Sequence, residues 1–266
     1  MKQKIRIVYP SAFDIKGVER SETPRESLME AKDPDTEIVV RRAPDAFVEF
    51  VEQTYEAELV AVVSAREAWK IEQEGDVDAI CMGCNAEPGV KAGRELCDTL
   101  VMGPACAVLH VASMLGRSFS YVICGGEGEV RHAREALLTA AEHYGLAHKL
   151  ASIRELELPP TGFNEALLTE EELESLKEYA VSEAKKAIYE DGADVIIDYG
   201  HLALHRHMVE QLAPLGVPVV NPDQTTVKVM EMLVKLGLSQ SKRTYPKPRQ
   251  VYDFEIRDVQ VVEDWE

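Results

Sequence analysis

Short apolar runs alternate along the chain with longer segments that repeat apolar residues every three or four positions, a pattern that predicts alternating β-strands and α-helices. The predicted strands span residues 5–9, 37–41, 77–82, 99–102, 119–124, 147–153, 195–197 and 217–220. The predicted helices span residues 56–73, 104–115, 130–144, 202–212 and 225–236, with one more near Pro88 and one between Thr169 and Gly192. Such alternation is typical of parallel sheets covered by helices on both faces.

The alternation passes through two successive rounds, which predicts an α/β fold of two similar Rossmann-like lobes. In such sheets, ligands bind beyond the carboxyl ends of the strands. We therefore expect site residues in the segments that follow predicted strands: Pro10-Ser11, Gly83-Cys84-Asn85, Cys124-Gly125-Gly126, Asp198 to His201, and Asn221-Pro222.

Composition and charge narrow the classes of function. The chain has 266 residues, with 29 Lys plus Arg against 47 Asp plus Glu and a formal net charge of −18. This acidic balance disfavours binding to nucleic acid and to anionic membranes. No apolar run approaches the ~20 residues of a membrane span, and charges interrupt the amino-terminal apolar stretch, unlike in a secretory signal. We expect neither a nucleic-acid nor a membrane partner.

The cysteines indicate a reducing environment and one candidate reactive thiol. All five lie between positions 81 and 124, and an odd number in one stretch favours reduced thiols in a cytoplasmic protein. Cys84 follows an apolar strand and precedes a helix, whose amino-terminal dipole favours the thiolate. The alternative for Cys84 is a buried cysteine that acts as a small hydrophobe. Cys97 and Cys106 carry no local activation signal and are expected to be structural.

Three segments in order resemble a known family. Residues 79–90 form an apolar strand that runs into Gly-Cys and then into an acidic residue, Pro and Gly, which resembles the first-cysteine motif of hydantoin racemases in the aspartate/glutamate racemase superfamily. Residues 100–104 look like the next strand and turn of that family. Residues 216–222, then Lys228, then residues 236–242 are similar to its carboxyl-terminal signature.

This resemblance implies two pseudo-symmetric lobes with parallel sheets and an active site between them. The helix that begins at Thr225 would return to the first lobe, so that residues 1–116 and 221–266 form one lobe and residues 117–220 the other. The implied activity is racemisation or epimerisation of a small molecule, a carboxylate or a cyclic amide, at the carbon next to its carbonyl. It implies no cofactor. Assembly into a homo-oligomer is left open.

In the family, a cysteine from each lobe faces the substrate, one removing a proton and the other delivering one to the opposite face. The first position corresponds to Cys84. At the second position this chain has Gly200-His201 instead of Gly-Cys, so His201 is the candidate for the opposing acid or base. Asp198 is a weaker candidate, which would need a raised pKa to act as an acid.

Other residues at strand ends are expected to bind the substrate. Ser11, Asn85 and Gly125 offer hydroxyl, amide and backbone donors that would stabilise the oxygen on which negative charge develops. Cys124 stands where the family carries threonines that grip the substrate. Asp198 completes the predicted binding set.

Several alternatives remain open from the sequence. Related proteins with altered cysteines are decarboxylases or cis–trans isomerases. If this chain catalyses one of these reactions, Cys84 acts alone. A non-catalytic ligand-binding protein is another option. A metal-dependent hydrolase would use His201, His205 and His207, although His205 and His207 are expected on a solvated helix surface. The sequence Cys81-Met82-Gly83-Cys84 also fits a redox pair, but Cys81 lies inside the apolar strand.

Overall fold

A computed structural model describes most of the chain. The described residues are 4–11, 24–49, 51, 53–125, 127–157, 169–198 and 202–257. Among them, no helix combines the length and the apolar character needed to cross a membrane.

Strands and helices alternate throughout the described residues. The strands are Ile5–Ser11 (β1), Thr36–Arg42 (β2), Ala79–Cys81 (β3), Leu100–Met102 (β4), Phe119–Gly125 (β5), Leu150–Glu157 (β6), Val195–Ile197 (β7) and Val219–Val220 (β8). The helices are Glu26–Ala31 (α1), Thr54–Glu74 (α2), Val90–Leu96 (α3), Pro104–Leu115 (α4), Glu127–His143 (α5), Glu170–Tyr189 (α6), Leu202–Leu212 (α7) and Pro222–Lys235 (α8).

The strands form two parallel sheets with the same internal order. The first sheet has the order β2-β1-β3-β4 and the second the order β6-β5-β7-β8. In each sheet the chain runs outward in one direction and then returns to the other side of the starting strand, so a topological switch point lies between β1 and β3 and between β5 and β7. The predicted α/β fold of two pseudo-symmetric lobes with parallel sheets is confirmed.

Helix α4 packs between the two sheets. Ala107 lies in the core of the first sheet, together with residues of β1, β3 and α8. Ala105, Val108 and Leu109 lie in the core of the second sheet. Because α4 contributes to both cores, the predicted lobe boundary after residue 116 stays a prediction.

Helix α8 begins earlier than the sequence pattern indicates. Asn221 is its N-cap, and the Asn221 side chain accepts a hydrogen bond of 3.1 Å from the amide of Gln224. Pro222 occupies the first turn, where the missing amide proton costs nothing. Val227 and Met230 are buried in the first core, and α8 packs against α1 and α4.

Local sequence signals predicted the start of α6 correctly but did not predict α1. The predicted capping box is confirmed, since Thr169 Oγ1 accepts from the Glu172 amide at 3.2 Å and the Thr169 amide donates to Glu172 Oε2 at 2.8 Å. Residues 147–149, predicted as strand, form a 3₁₀ turn before β6. Helix α1 has only 6 residues, too short to show an apolar period, and was not predicted.

A segment that follows α8 covers the open edge of the first sheet. The Gln240 side chain accepts from the amide of Val101 in β4 at 2.9 Å and donates to the carbonyls of Cys97 and Thr99, both at 2.8 Å. Further on, the carbonyl of Phe254 accepts from Arg66 in α2 at 2.6 Å. The side chain of Gln240 thus replaces part of the strand that β4 lacks, which protects an edge from pairing with other chains.

We expect the substitution Gln240→Ala to lower the free energy of unfolding by about 1–3 kcal/mol, because it leaves the backbone groups of Cys97, Thr99 and Val101 without these partners. Urea denaturation followed by circular dichroism measures the change. The control Gln250→Ala, at an exposed position further along the same segment, changes stability by less than about 0.5 kcal/mol. Equal losses in both variants would contradict the edge role of Gln240.

Candidate active site

Cys84 lies in a tight turn just beyond the carboxyl end of β3, beside the switch point of the first sheet. Its backbone is left-handed, with φ 84°, and the Glu87 amide donates to the Cys84 carbonyl at 3.0 Å. The residue is half-buried. The thiol-bearing residue is therefore neither packed into the core nor fully in solvent, as a reactive group that meets a ligand requires.

Cys81 has a different environment from Cys84. It is the last residue of β3 and is completely buried in the first core. Burial raises the pKa of the Cys81 thiol far above its usual range. At neutral pH it is a packed, protonated thiol, which supports the structural interpretation of Cys81 over a redox pair with Cys84.

The Tyr9 side chain forms a wall next to the Cys84 turn. Its ring lies against Gly83, where an added Cβ would be 3.9 Å from Tyr9 Cδ1. The Tyr9 hydroxyl is buried next to the Cys81 thiol. Burial, followed by the neighbouring Cys81 thiol, raises the pKa of Tyr9, so the phenol stays neutral.

A guanidinium lies in the electrostatic neighbourhood of Cys84. Arg25 Nη1 is 3.4 Å from Asp223 Oδ2, and the same oxygen accepts from Ser27 Oγ at 2.6 Å. The Asp223 carboxylate raises the pKa of Arg25, and Cys84 and Tyr9 raise it further. The Arg25 side chain is 68% exposed while Asp223 is buried, so an anchored cation reaches solvent here. A nearby cation favours a thiolate.

No sequence pattern identified Arg25 or Asp223 as site residues. They stand 198 positions apart along the chain and belong to none of the motifs. Asp223 follows the Asn221-Pro222 segment at a strand end, which is the one signal that pointed near it.

In the second lobe, Asp198 comes directly after β7 and is 1% exposed. Its Oδ2 lies 2.5 Å from Nδ1 of His205, and its Oδ1 accepts from Asn221 Nδ2 at 3.1 Å. Both carboxylate oxygens are therefore engaged by neighbouring side chains. These bonds hold the Asp198 side chain in place. Its contact with substrate stays a prediction.

The prediction that His205 lies on a solvated helix surface is wrong. His205 is only 9% exposed and faces Asp198. On α7 it shares the buried face with Leu204 and Met208, which follow the helical period. His207 is half-exposed.

The remaining predicted residues fall into three groups. Ser11 ends β1 and is half-buried, and Asn85 is half-buried in the Cys84 turn. Cys124, near the end of β5, is 3% exposed and packs in the second core, so its thiol meets apolar side chains there, while Gly125 ends the strand. His201 lies outside the described residues.

Among the described residues, no group of three or more His, Cys, Asp or Glu side chains is arranged to hold a metal ion.

The first turn of α8 connects the two halves of this region. Asn221 bonds to Asp198 of the second sheet, and Asp223 bonds to Arg25 before α1. In addition, Arg206 of α7 forms an ion pair with Glu30 of α1. The carboxyl ends of both sheets therefore meet around α1, α7 and the start of α8.

Comparisons with known proteins agree with this architecture. The model of the Asp/Glu/Hydantoin racemase family matches residues 24–230. The hydantoin racemase of Paenarthrobacter aurescens is 32% identical over 201 residues, which cover 74% of this chain and 79% of that protein. The hydantoin racemase of Pseudomonas sp. (strain NS671) is 29% identical over 248 residues, 92% of each chain. The crystal structure of allantoin racemase from Pseudomonas fluorescens superposes with a TM-score of 0.72 at 27% identity, covering 94% of this chain and 100% of that one.

We expect the substitution Arg25→Gln to slow alkylation of Cys84 by iodoacetamide at pH 7.5 by about three- to tenfold, because the cation that favours the thiolate is removed. Tandem mass spectrometry of the peptide that contains both Cys81 and Cys84 measures the rate, because fragment ions that break the chain between the two residues assign the alkyl group to Cys84. Arg117→Gln, an exposed position before β5, is the matched control and leaves the rate unchanged. An unaltered rate in Arg25→Gln would show that the guanidinium does not act on this thiol.

Proposed function

The chain belongs to the Asp/Glu/Hydantoin racemase family, and from this premise we propose that it racemises a 5-substituted hydantoin by moving the proton on the ring carbon next to a carbonyl. Family membership confirms the resemblance inferred from the motifs and the prediction of an enzyme of the isomerase class. Hydantoin and allantoin share the same five-membered ring, and similarity to racemases that carry both names supports a cyclic amide substrate.

The observation that carries the proposal is the position of Cys84. The thiol-bearing turn follows the third strand of a parallel sheet, next to the switch point where ligands of such folds bind. The partly buried Tyr9 ring lies against Gly83 of the same turn, and the Arg25 guanidinium supplies a positive charge. These features suit a thiolate that removes a proton from a carbon acid.

The proposed reaction needs two groups on opposite faces of the ring. The Cys84 thiolate removes the proton, and the charge left on the carbon spreads onto the carbonyl oxygen as an enolate. Asn85, Ser11 and the backbone at Gly125 would donate hydrogen bonds to that oxygen. His201, as imidazolium, would return a proton to the other face, which inverts the centre without a cofactor.

The sequence of strands supports the role of His201. β7 holds the same place in the second sheet as β3 in the first, and His201 follows β7 as Cys84 follows β3. Asp198, which lies between β7 and His201 in the chain, is held in place by His205 and Asn221. The segment that carries His201 therefore begins at a fixed residue. Asp198 and Cys124 complete the predicted binding set.

Cellular location and assembly go beyond this chemistry. All five cysteines are free, which supports the predicted cytoplasmic location. A homo-oligomer stays a prediction.

We expect Cys84→Ala to lower kcat for racemisation of an enantiopure 5-substituted hydantoin by about 10²–10⁴-fold, because the group that removes the proton is lost. Polarimetry measures racemisation, and circular dichroism checks the fold. Cys97→Ala removes a thiol at the end of α3, before the amino end of β4 and away from the carboxyl ends of the strands, and keeps the activity. Retained activity in Cys84→Ala would reject this proposal.

The substitution His201→Gln separates the two roles. We expect racemisation to fall by about 10²–10⁴-fold, while in D₂O the Cys84 thiolate still exchanges the ring-carbon proton of one enantiomer without inverting it. Proton NMR of each enantiomer detects the exchange. Racemisation of both enantiomers at the unmodified rate would exclude His201 as the opposing group.

A further inference from the structure

We propose that Glu87 is a positioning residue that fixes the Cys84 turn against α4 and the second lobe and thereby directs the Cys84 thiol at the substrate. The inference rests on the proposed role of Cys84. It concerns a side chain that does not itself touch the reacting atoms.

Both oxygens of the Glu87 carboxylate are held by other elements. Oε1 accepts from the amide of Cys106 in the first turn of α4 at 2.7 Å. Oε2 accepts from the hydroxyl of Tyr144, just beyond the end of α5, at 2.7 Å. The carboxylate therefore joins three parts of the fold that are far apart along the chain.

Glu87 takes the place of a missing helix cap. The N-cap of α4 is Gly103, which offers no side-chain acceptor to the first amides of the helix. The Glu87 carboxylate supplies that acceptor from outside, with its negative charge at the positive end of the helix dipole.

The identity of Gly103 follows from this contact. Its backbone is extended, with φ −114°, so no conformational reason demands glycine there. A Cβ at Gly103 would, however, lie 2.5 Å from Glu87 Oε1. The absence of a side chain thus makes room for the Glu87 carboxylate.

The turn that carries Cys84 needs such support. Cys84 and Glu87 have φ values of 84° and 55°, a left-handed conformation that is unfavourable for residues with a Cβ. The surrounding structure must hold residues in this conformation. The hydrogen bond from the Glu87 amide to the Cys84 carbonyl closes the turn, and the Glu87 side chain anchors it.

The tie to Tyr144 is itself reinforced. Arg94 of α3 donates to the hydroxyls of Tyr144 at 3.3 Å and of Tyr245 at 3.1 Å, and its guanidinium lies 5.7 Å from the centre of the Tyr144 ring. Burial raises the pKa of Glu87, while the Cys106 amide and Tyr144 oppose that rise. The contacts among Glu87, Tyr144 and Arg94 therefore hold the Cys84 turn in a fixed position relative to the second lobe.

Three variants test the proposal by different routes. Glu87→Gln keeps the shape but loses the charge, Tyr144→Phe removes one anchor, and Gly103→Ala fills the space of the carboxylate without changing it. We expect kcat to fall by about 100-fold in Gly103→Ala and by about tenfold in the other two, with KM unchanged, since a small misplacement of a reacting group costs rate and not binding. Glu95→Gln, exposed on α3, is the control.

Hydrogen–deuterium exchange of the peptide that spans residues 84–90 reports on the turn without reference to activity. We expect faster exchange in every variant, by about tenfold in Glu87→Gln and Tyr144→Phe and by more in Gly103→Ala, in the same order as the loss of kcat. Loosening of the turn with unchanged kcat, or a fall in kcat without loosening, would overturn the positioning role, as would no change in either. Full activity of Cys84→Ala would instead overturn the proposed function, and the exchange data would then still decide whether Glu87 holds the turn.

Discussion

The first turn of α8 is the constraint on which the candidate site depends. Asn221 bonds to Asp198 at the end of the second sheet, and Asp223 bonds to Arg25 ahead of α1. These two residues share one helical turn, so they fix a carboxylate of one sheet relative to a guanidinium near the other. One face of α8, with Val227 and Met230, packs in the first core. A rigid helix thereby sets the spacing of groups from both lobes, which is what chemistry on two faces of one small molecule requires.

The two sheets share their strand order but differ in the chemistry at equivalent strand ends. After β3 the chain turns sharply through left-handed residues and presents Cys84, whereas Asp198 after β7 is bonded into a buried cluster with His205 and Asn221. Shared backbone topology accordingly sets where side chains emerge, and the local partners set what each can do. Most of the charged and polar side chains of the site belong to segments other than β3 and β7, the strands that precede Cys84 and Asp198.

Much of the fold and only part of the site could be predicted from the sequence. Regular alternation of apolar runs and amphipathic segments was enough to predict an α/β fold of two lobes with parallel sheets, and the Gly-Cys motif located the turn of Cys84. Arg25 and Asp223 escaped because a pair brought together by tertiary packing leaves no local pattern. The prediction for His205 rested on the preference of polar side chains for solvent. The helical period, however, places His205 on the same face of α7 as Leu204 and Met208, which are buried.

The placement of α4 between the sheets has a consequence for dividing the chain. A cut after Leu115 would keep α4 with the amino-terminal fragment and deprive the other fragment of Ala105, Val108 and Leu109. The part of the apolar face of β5 and β7 that α4 covers would then be open to water, at roughly 25 cal/mol for each Å² exposed. We therefore expect that neither fragment would keep the packing it has in the whole chain, although the two sheets repeat the same topology.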